Sequence, residues 1–126
     1  MDTLRDLKVL VVENDELNAS LLQLQLASHG ATVVGIAASV ASALRLLDEK
    51  DPQVVFLDFR LAGAETSTPI AETLRARGVP FVVATGMDPT TLPEIFRNGV
   101  SLRKPYLTAE LISALGRALG MVSAGS

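Results

Sequence analysis

Short apolar runs alternate along this chain with longer segments whose apolar residues recur every three or four positions. The runs at 7–12, 31–37, 53–57 and 79–84, with a weaker one at 100–102, have the length of strands. Val54-Val55-Phe56-Leu57 and Phe81-Val82-Val83-Ala84 contain no polar interruption. That is the pattern of strands buried on both faces, as in a parallel sheet covered by helices. Between the runs, 16–28 places Leu17, Leu21, Leu24 and Ser28 on one helical face, with Leu22 and Leu26 flanking it. Segment 39–49 does likewise with Val40, Ala43, Leu44 and Leu47. A third helix is expected to start with Thr68 as N-cap and Pro69 as first helical residue, where the missing N–H costs nothing. It runs to about Arg77, and Gly78 closes it. Pro89 and Pro93 leave room for only a short helix at 93–98. The last helix, 108–119, is expected to end at Gly120, with 121–126 as a frayed tail.

Five strand–helix units in this order imply an α/β fold, a doubly wound parallel sheet with helices on both faces. The 126 residues fit one domain, 1–126 with a core of about 6–120, and no repeat, linker or low-complexity stretch divides it.

Composition narrows the function more than the fold. With 48% hydrophobic and 20% charged residues, the chain is globular rather than disordered. The net charge of -3 and the scatter of Arg97, Arg103, Lys104 and Arg117 form no nucleic-acid footprint, only a solvated face. The absence of cysteine excludes disulfides and thiolate metal sites. His29, the single histidine, precedes Gly30 at a helix end, where a cation suits the helix dipole, and it lacks the helical-bundle context of a phosphodonor. No stretch approaches the ~20 apolar residues of a membrane span, and Met1–Asp6 is too polar for a signal peptide. A cytoplasmic setting is expected.

Candidate chemistry sits where the apolar runs stop. Asp58 follows the run at 53–57, Glu13 follows the first run, Thr85 the fourth and Lys104 the fifth. In open α/β sheets the ligand crevice lies beyond the carboxyl ends of the strands. Each residue alone has an ordinary role as a cap, a turn former or a surface charge. Jointly they place a nucleophilic carboxylate, a second acid, a hydroxyl and an ammonium at one edge. Asp58 can attack phosphorus to form an acyl phosphate. Attack of an anion on an anion needs neutralisation, typically by Mg²⁺ held by carboxylates and phosphoryl oxygens. Glu13 is placed to hold that ion, Thr85 to donate to a phosphoryl oxygen, and Lys104 to pair with another. Gly86 lets a backbone N–H come close.

These residues resemble the signature of the response-regulator receiver domain of two-component signalling, over nearly the whole chain. That family carries an acid pair after its first strand, a phosphoacceptor Asp after the third, Thr or Ser after the fourth and Lys-Pro after the fifth. Here those positions hold Glu13-Asn14, Asp58, Thr85 and Lys104-Pro105. The resemblance implies a five-stranded flavodoxin-like sheet of order 2-1-3-4-5 and phosphorylation of Asp58 by a sensor histidine kinase or phosphotransfer protein. It implies Mg²⁺ held by Glu13, Asn14, Asp58 and the Arg60 backbone carbonyl, and a cis peptide before Pro105. Pro80-Phe81-Val82-Val83-Ala84-Thr85-Gly86-Met87, with Ser67-Thr68-Pro69-Ile70-Ala71, is similar to a single-domain subgroup marked by a Pro-Phe-x-Phe-Ala-Thr-Gly-Tyr motif. Val83 and Met87 replace that motif's second Phe and its Tyr.

Two departures matter, and two further residues bear on the pocket. Asn14 stands where the family has a second acid, so one unit of charge is missing. At ~4 Å and an effective dielectric of about 20, that loss weakens metal attraction by a few kcal/mol at most. Asp15 is the neighbouring candidate to replace it, although successive side chains point differently. Ser101 stands where the family has an aromatic that changes rotamer with the Thr, so readout is expected to shift to the Pro-interrupted segment 87–98. Tyr106 is expected to pack. Arg60 is expected at the pocket mouth, its guanidinium placed to pair with Glu13 or with the phosphoryl group.

The leading expectation is therefore a stand-alone phosphoacceptor that catalyses only its own phosphorylation and dephosphorylation, with no effector segment following and an unidentified output protein as partner. The alternative is a pseudo-receiver, a binding module that works without phosphate because of Asn14. A phosphatase using Asp58 would want an acid at the position of Arg60, and a dinucleotide role would want a Gly-rich turn after the first strand.

Overall fold

The computed structural model describes residues 4–124, the last four by their backbone alone. Five strands form one sheet: β1 (Lys8–Val12), β2 (Thr32–Ala37), β3 (Val54–Asp58), β4 (Phe81–Thr85) and β5 (Val100–Arg103). All neighbours pair in parallel, in the order β2-β1-β3-β4-β5. This is the doubly wound topology and strand order expected above. β3 and β4 are buried along their whole length, as continuous apolar runs require.

Alternation of side chains across the pleat divides the core in two. Val9, Val11, Phe56 and Val82 face α1 (Glu16–Ser28) and α4 (Thr108–Ala124). Leu10, Val12, Leu57 and Val83 face α2 (Val40–Lys50) and α3 (Thr68–Arg77). No helix among the described residues is long and apolar enough to cross a membrane.

The helices depart from expectation in four places. In α1 the buried side is Ala19, Leu22 and Leu26, while Leu17, Leu21 and Leu24 stand 79%, 55% and 69% exposed. Leucine occupies both stripes, so spacing does not choose between them. Leu22 and Leu26 pack into the core with Val9, Val11 and Leu115, and Asp15 Oδ1 caps the first turn by accepting the Asn18 N–H at 2.9 Å. In α3 the N-cap is Ser67, one residue earlier than expected: its N–H is bonded to the Phe59 carbonyl and its own carbonyl accepts from Ala71 N. Gly78 closes α3 in the left-handed region at φ 69, as its position suggested.

α4 runs through Gly120 to Ala124. A glycine in a helix costs about 1 kcal/mol, but nothing forces an exit there, since no proline follows and Gly120 is not at positive φ. Residues 125 and 126 of the expected tail lie outside the described residues. The β4–β5 connection contains two 3₁₀ segments, Pro89–Thr91 and Glu94–Asn98, instead of one short helix. α2 buries Ala43 and Leu47, with Val40 and Leu44 half-buried, and Ser39 and Ser42 cap it reciprocally.

Candidate functional site

Parallel register brings the candidates together. Val12 pairs with Leu57, Asp58 with Ala84 and Thr85 with Arg103, so Glu13, Asp58, Thr85 and Lys104 emerge side by side at the carboxyl edge. Glu13, Asp58 and Thr85 are 6%, 4% and 4% exposed, which for two acids so close demands a counter-charge. Lys104 supplies it: Nζ lies 2.5 Å from Asp58 Oδ1 and 3.9 Å from Glu13 Oε1. The Lys104 N–H donates to the Thr85 carbonyl at 2.8 Å, and the Lys104–Pro105 peptide is cis, as expected.

Burial holds the Glu13 carboxyl up at about 7, and the Asp58 carboxylate pushes the same way. The Asp15 N–H, which donates to Glu13 Oε2 at 3.1 Å, and the Lys104 charge oppose that rise. Thr85 Oγ1 accepts the Met87 N–H at 3.1 Å, so the hydroxyl is tied to the start of the β4–β5 segment. The backbone at Gly86 is uncrowded, with nothing within 4 Å of the position a side chain would take. A hollow of about 230 Å³ is lined by Asp58, Arg60, Thr85, Gly86, Met87 and Lys104. On the other side of Lys104, a groove of about 480 Å³ is lined by Glu13, Asn18, Leu21, Gln25, Lys104 and Tyr106.

Asn14 and Asp15 are both exposed. Asp15 does not replace the missing acid, because its carboxylate is engaged as the N-cap of α1. Nor does Arg60 pair with Glu13. Its guanidinium lies 5.7 Å from the centre of the Phe59 ring, with Nη2 3.5 Å from Met87 Sδ. Arg60 lines the hollow together with Met87, and Glu13 does not. Residues 59–67 fold back as a small hairpin in which Ser67 N donates to the Phe59 carbonyl and Leu61 N to the Glu65 carbonyl. No donor among the described residues takes the Arg60 carbonyl.

Tyr106 packs, as expected, with its ring 6.1 Å from that of Phe56. It is also a site residue that sequence reasoning passed over. Desolvation pushes its hydroxyl up to about 12, helped by the negative charges of Asp58 and Glu13. The only signal was its spacing two residues after Lys104. His29 caps the C-terminus of α1, and Ser101 is half-buried opposite Val83.

Among the described residues no three His, Cys, Asp or Glu side chains converge as a metal cluster. Lys104 links the two buried carboxylates, Glu13 and Asp58; the Arg60 carbonyl accepts no hydrogen bond among the described residues, and Asn14 is exposed next to Glu13 in sequence.

No curated protein sequence matches the chain. Among solved structures, it is similar to SdrG from Sphingomonas melonis Fr1, at 35% identity and a TM-score of 0.79, covering 94% of this chain and 99% of that one. It is similar at 37% identity and a TM-score of 0.76 to the BeF3-activated conformation of SdrG from Pseudomonas melonis Fr1, over 89% of this chain and 95% of that one. The response regulator PhyR from Brucella abortus shares the fold at 23% identity and a TM-score of 0.82, with 98% of this chain matching 53% of that one. The model of the response regulator receiver domain matches residues 9–115, and the chain belongs to that family.

Proposed function

We propose that the chain is a single receiver domain, 1–126, that accepts a phosphoryl group on Asp58 from the phosphohistidine of a sensor kinase or phosphotransfer protein. The observation that carries this is the buried Asp58 carboxylate with Lys104 Nζ at 2.5 Å and Glu13 and Thr85 beside it. An Asp58 carboxylate oxygen attacks phosphorus, the P–N bond breaks, and the imidazole leaves with the electron pair, giving an acyl phosphate. Lys104 follows the charge from the carboxylate to a phosphoryl oxygen. Thr85, turning from Met87 N, donates its hydroxyl to another. Gly86 lines the hollow that would receive the phosphoryl group. The same machinery reversed with water as acceptor gives self-dephosphorylation, and no other enzymatic activity is proposed.

Glu13, Asn14, Asp58 and the Arg60 carbonyl form an all-oxygen donor set that suits Mg²⁺. When bound, Mg²⁺ neutralises charge on the phosphoryl oxygens. With Asn14 neutral and Asp15 engaged as a cap, the site holds this ion weakly.

The donor's docking face is α1. Leu17, Leu21 and Leu24 are exposed apolar residues of α1, as is Leu107 before α4, and Leu21 lines the groove shared with Glu13 and Lys104. The output segment is 87–98, anchored to Thr85 through Met87 N, with Phe96 edge-on to Phe59 and Phe81. We assign the chain to that single-domain subgroup on the resemblance of residues 80–87 to the Pro-Phe-x-Phe-Ala-Thr-Gly-Tyr motif; a match to SdrG over 94% of this chain and 99% of that one supports the reading.

The second reading, a pseudo-receiver acting without phosphate, is favoured by Asn14 alone. Beryllofluoride with Mg²⁺ separates the two. Saturable amide shifts at Asp58, Thr85 and Lys104 support the phosphoacceptor, and an unchanged spectrum supports the pseudo-receiver.

A further inference from the structure

The hairpin at 59–67 contains a control on the metal side of the site that the signature residues do not include. Its tip, Ala62-Gly63-Ala64, carries no anchoring side chain, and Gly63 turns it at φ 70. The Leu61 N–H donates to the Glu65 carbonyl at 2.9 Å. That N–H belongs to the same planar trans peptide as the Arg60 carbonyl, so the two must point in opposite directions. Whatever holds Glu65 therefore aims the Arg60 carbonyl out of the hairpin.

Glu65 is held from outside. Its Oε1 accepts the Val40 N–H at 2.9 Å, twenty-five residues away in sequence and on a different element. Val40 is the first residue of α2, and its N–H is one of the four that a helix leaves without an internal partner. Ser39 and Ser42 serve each other at that terminus and leave Val40 N free. A carboxylate there is favoured twice, as a charged acceptor and by the helix dipole. One side chain thus ties the tip of the hairpin to α2, while its own carbonyl fixes the peptide that carries the candidate ligand.

We infer that Glu65 is a positioning residue that presents the Arg60 carbonyl to the divalent cation. This rests on the reading that the site takes Mg²⁺. It matters more in this chain than where a second acid is present, because with Asn14 neutral each remaining oxygen carries a larger share of the ion's attraction.

The test is a Mg²⁺ titration of the ¹⁵N-labelled full chain, followed by amide shifts of Glu13, Asn14, Asp58 and Leu61, with thermal melts of the metal-free proteins alongside. Glu65→Ala is expected to weaken Mg²⁺ about three- to ten-fold, the range of one lost hydrogen bond, with a metal-free Tm close to wild type because the contact is exposed. Glu65→Gln retains an oxygen acceptor for Val40 N and is expected to recover most of the affinity. Equal affinity in wild type and Glu65→Ala overturns the inference, as does a loss of affinity that only tracks a loss of Tm. A wild type that takes no Mg²⁺ at all overturns the metal reading itself, a result distinguishable from the others.

Discussion

Acidifying the metal-free protein from pH 7.5 to 5 is expected to stabilise the fold through Glu13. Its carboxyl is raised from an ordinary 4.5 to about 7 by burial and by the Asp58 carboxylate, against the pull of the Asp15 N–H and of Lys104. Between those two values the folded chain keeps a proton that the unfolded chain releases. The contribution to stability is therefore fully present below 4.5 and is lost as pH rises through 7. The displacement corresponds to about 3 kcal/mol at most, or roughly 10 °C in Tm for a domain of this size. Urea melts at half-unit pH intervals on wild type and Glu13→Gln measure it, the difference between the two curves isolating Glu13. Mg²⁺ competes with the proton for the same carboxylate, so saturating Mg²⁺ should flatten the slope. A difference curve that is flat between pH 5 and 7.5, or that rises with pH, refutes the buried acid pair.

Asn14→Asp restores a charge close to the metal position and is expected to raise Mg²⁺ affinity at least ten-fold by calorimetry; equal affinities would remove Asn14 as the weak point. Leu22→Ala should cost about 2–5 kcal/mol in urea melts as a core cavity. Leu21→Ala, on the exposed stripe, should cost under about 0.5 kcal/mol while slowing phosphoryl transfer from a kinase and sparing transfer from a small acyl phosphate. Amide exchange should increase across 87–98 when beryllofluoride recruits Thr85 away from Met87 N, and unchanged protection there would move the output elsewhere.

Continuous apolar runs were enough to specify the parallel sheet, because only strands covered on both faces lack polar interruption. The same runs located Asp58, Glu13, Thr85 and Lys104, since a polar residue that ends such a run has to sit at the sheet's edge. The helix faces were harder. In α1 both the Leu17–Leu21–Leu24 stripe and the Ala19–Leu22–Leu26 stripe have helical spacing, and only the packing against the sheet shows which one turns inward. Asp15 was visible as a charge near the metal position, but its engagement by Asn18 N depends on where α1 begins. The direction of Arg60 was equally hidden, because Phe59 and Met87, which receive its guanidinium, are one and twenty-seven residues away. Glu65 carries no sequence signal at all. Its partner is a backbone N–H, and backbone groups leave no mark on composition or spacing.

The most direct test of the phosphoacceptor role is intact-mass spectrometry of wild type and Asp58→Asn after incubation with Mg²⁺ and a small acyl-phosphate donor or a histidine kinase. One added phosphoryl group on the wild type and none on Asp58→Asn is the predicted result. An unmodified wild type with both donors, or equal modification of Asp58→Asn, would contradict it.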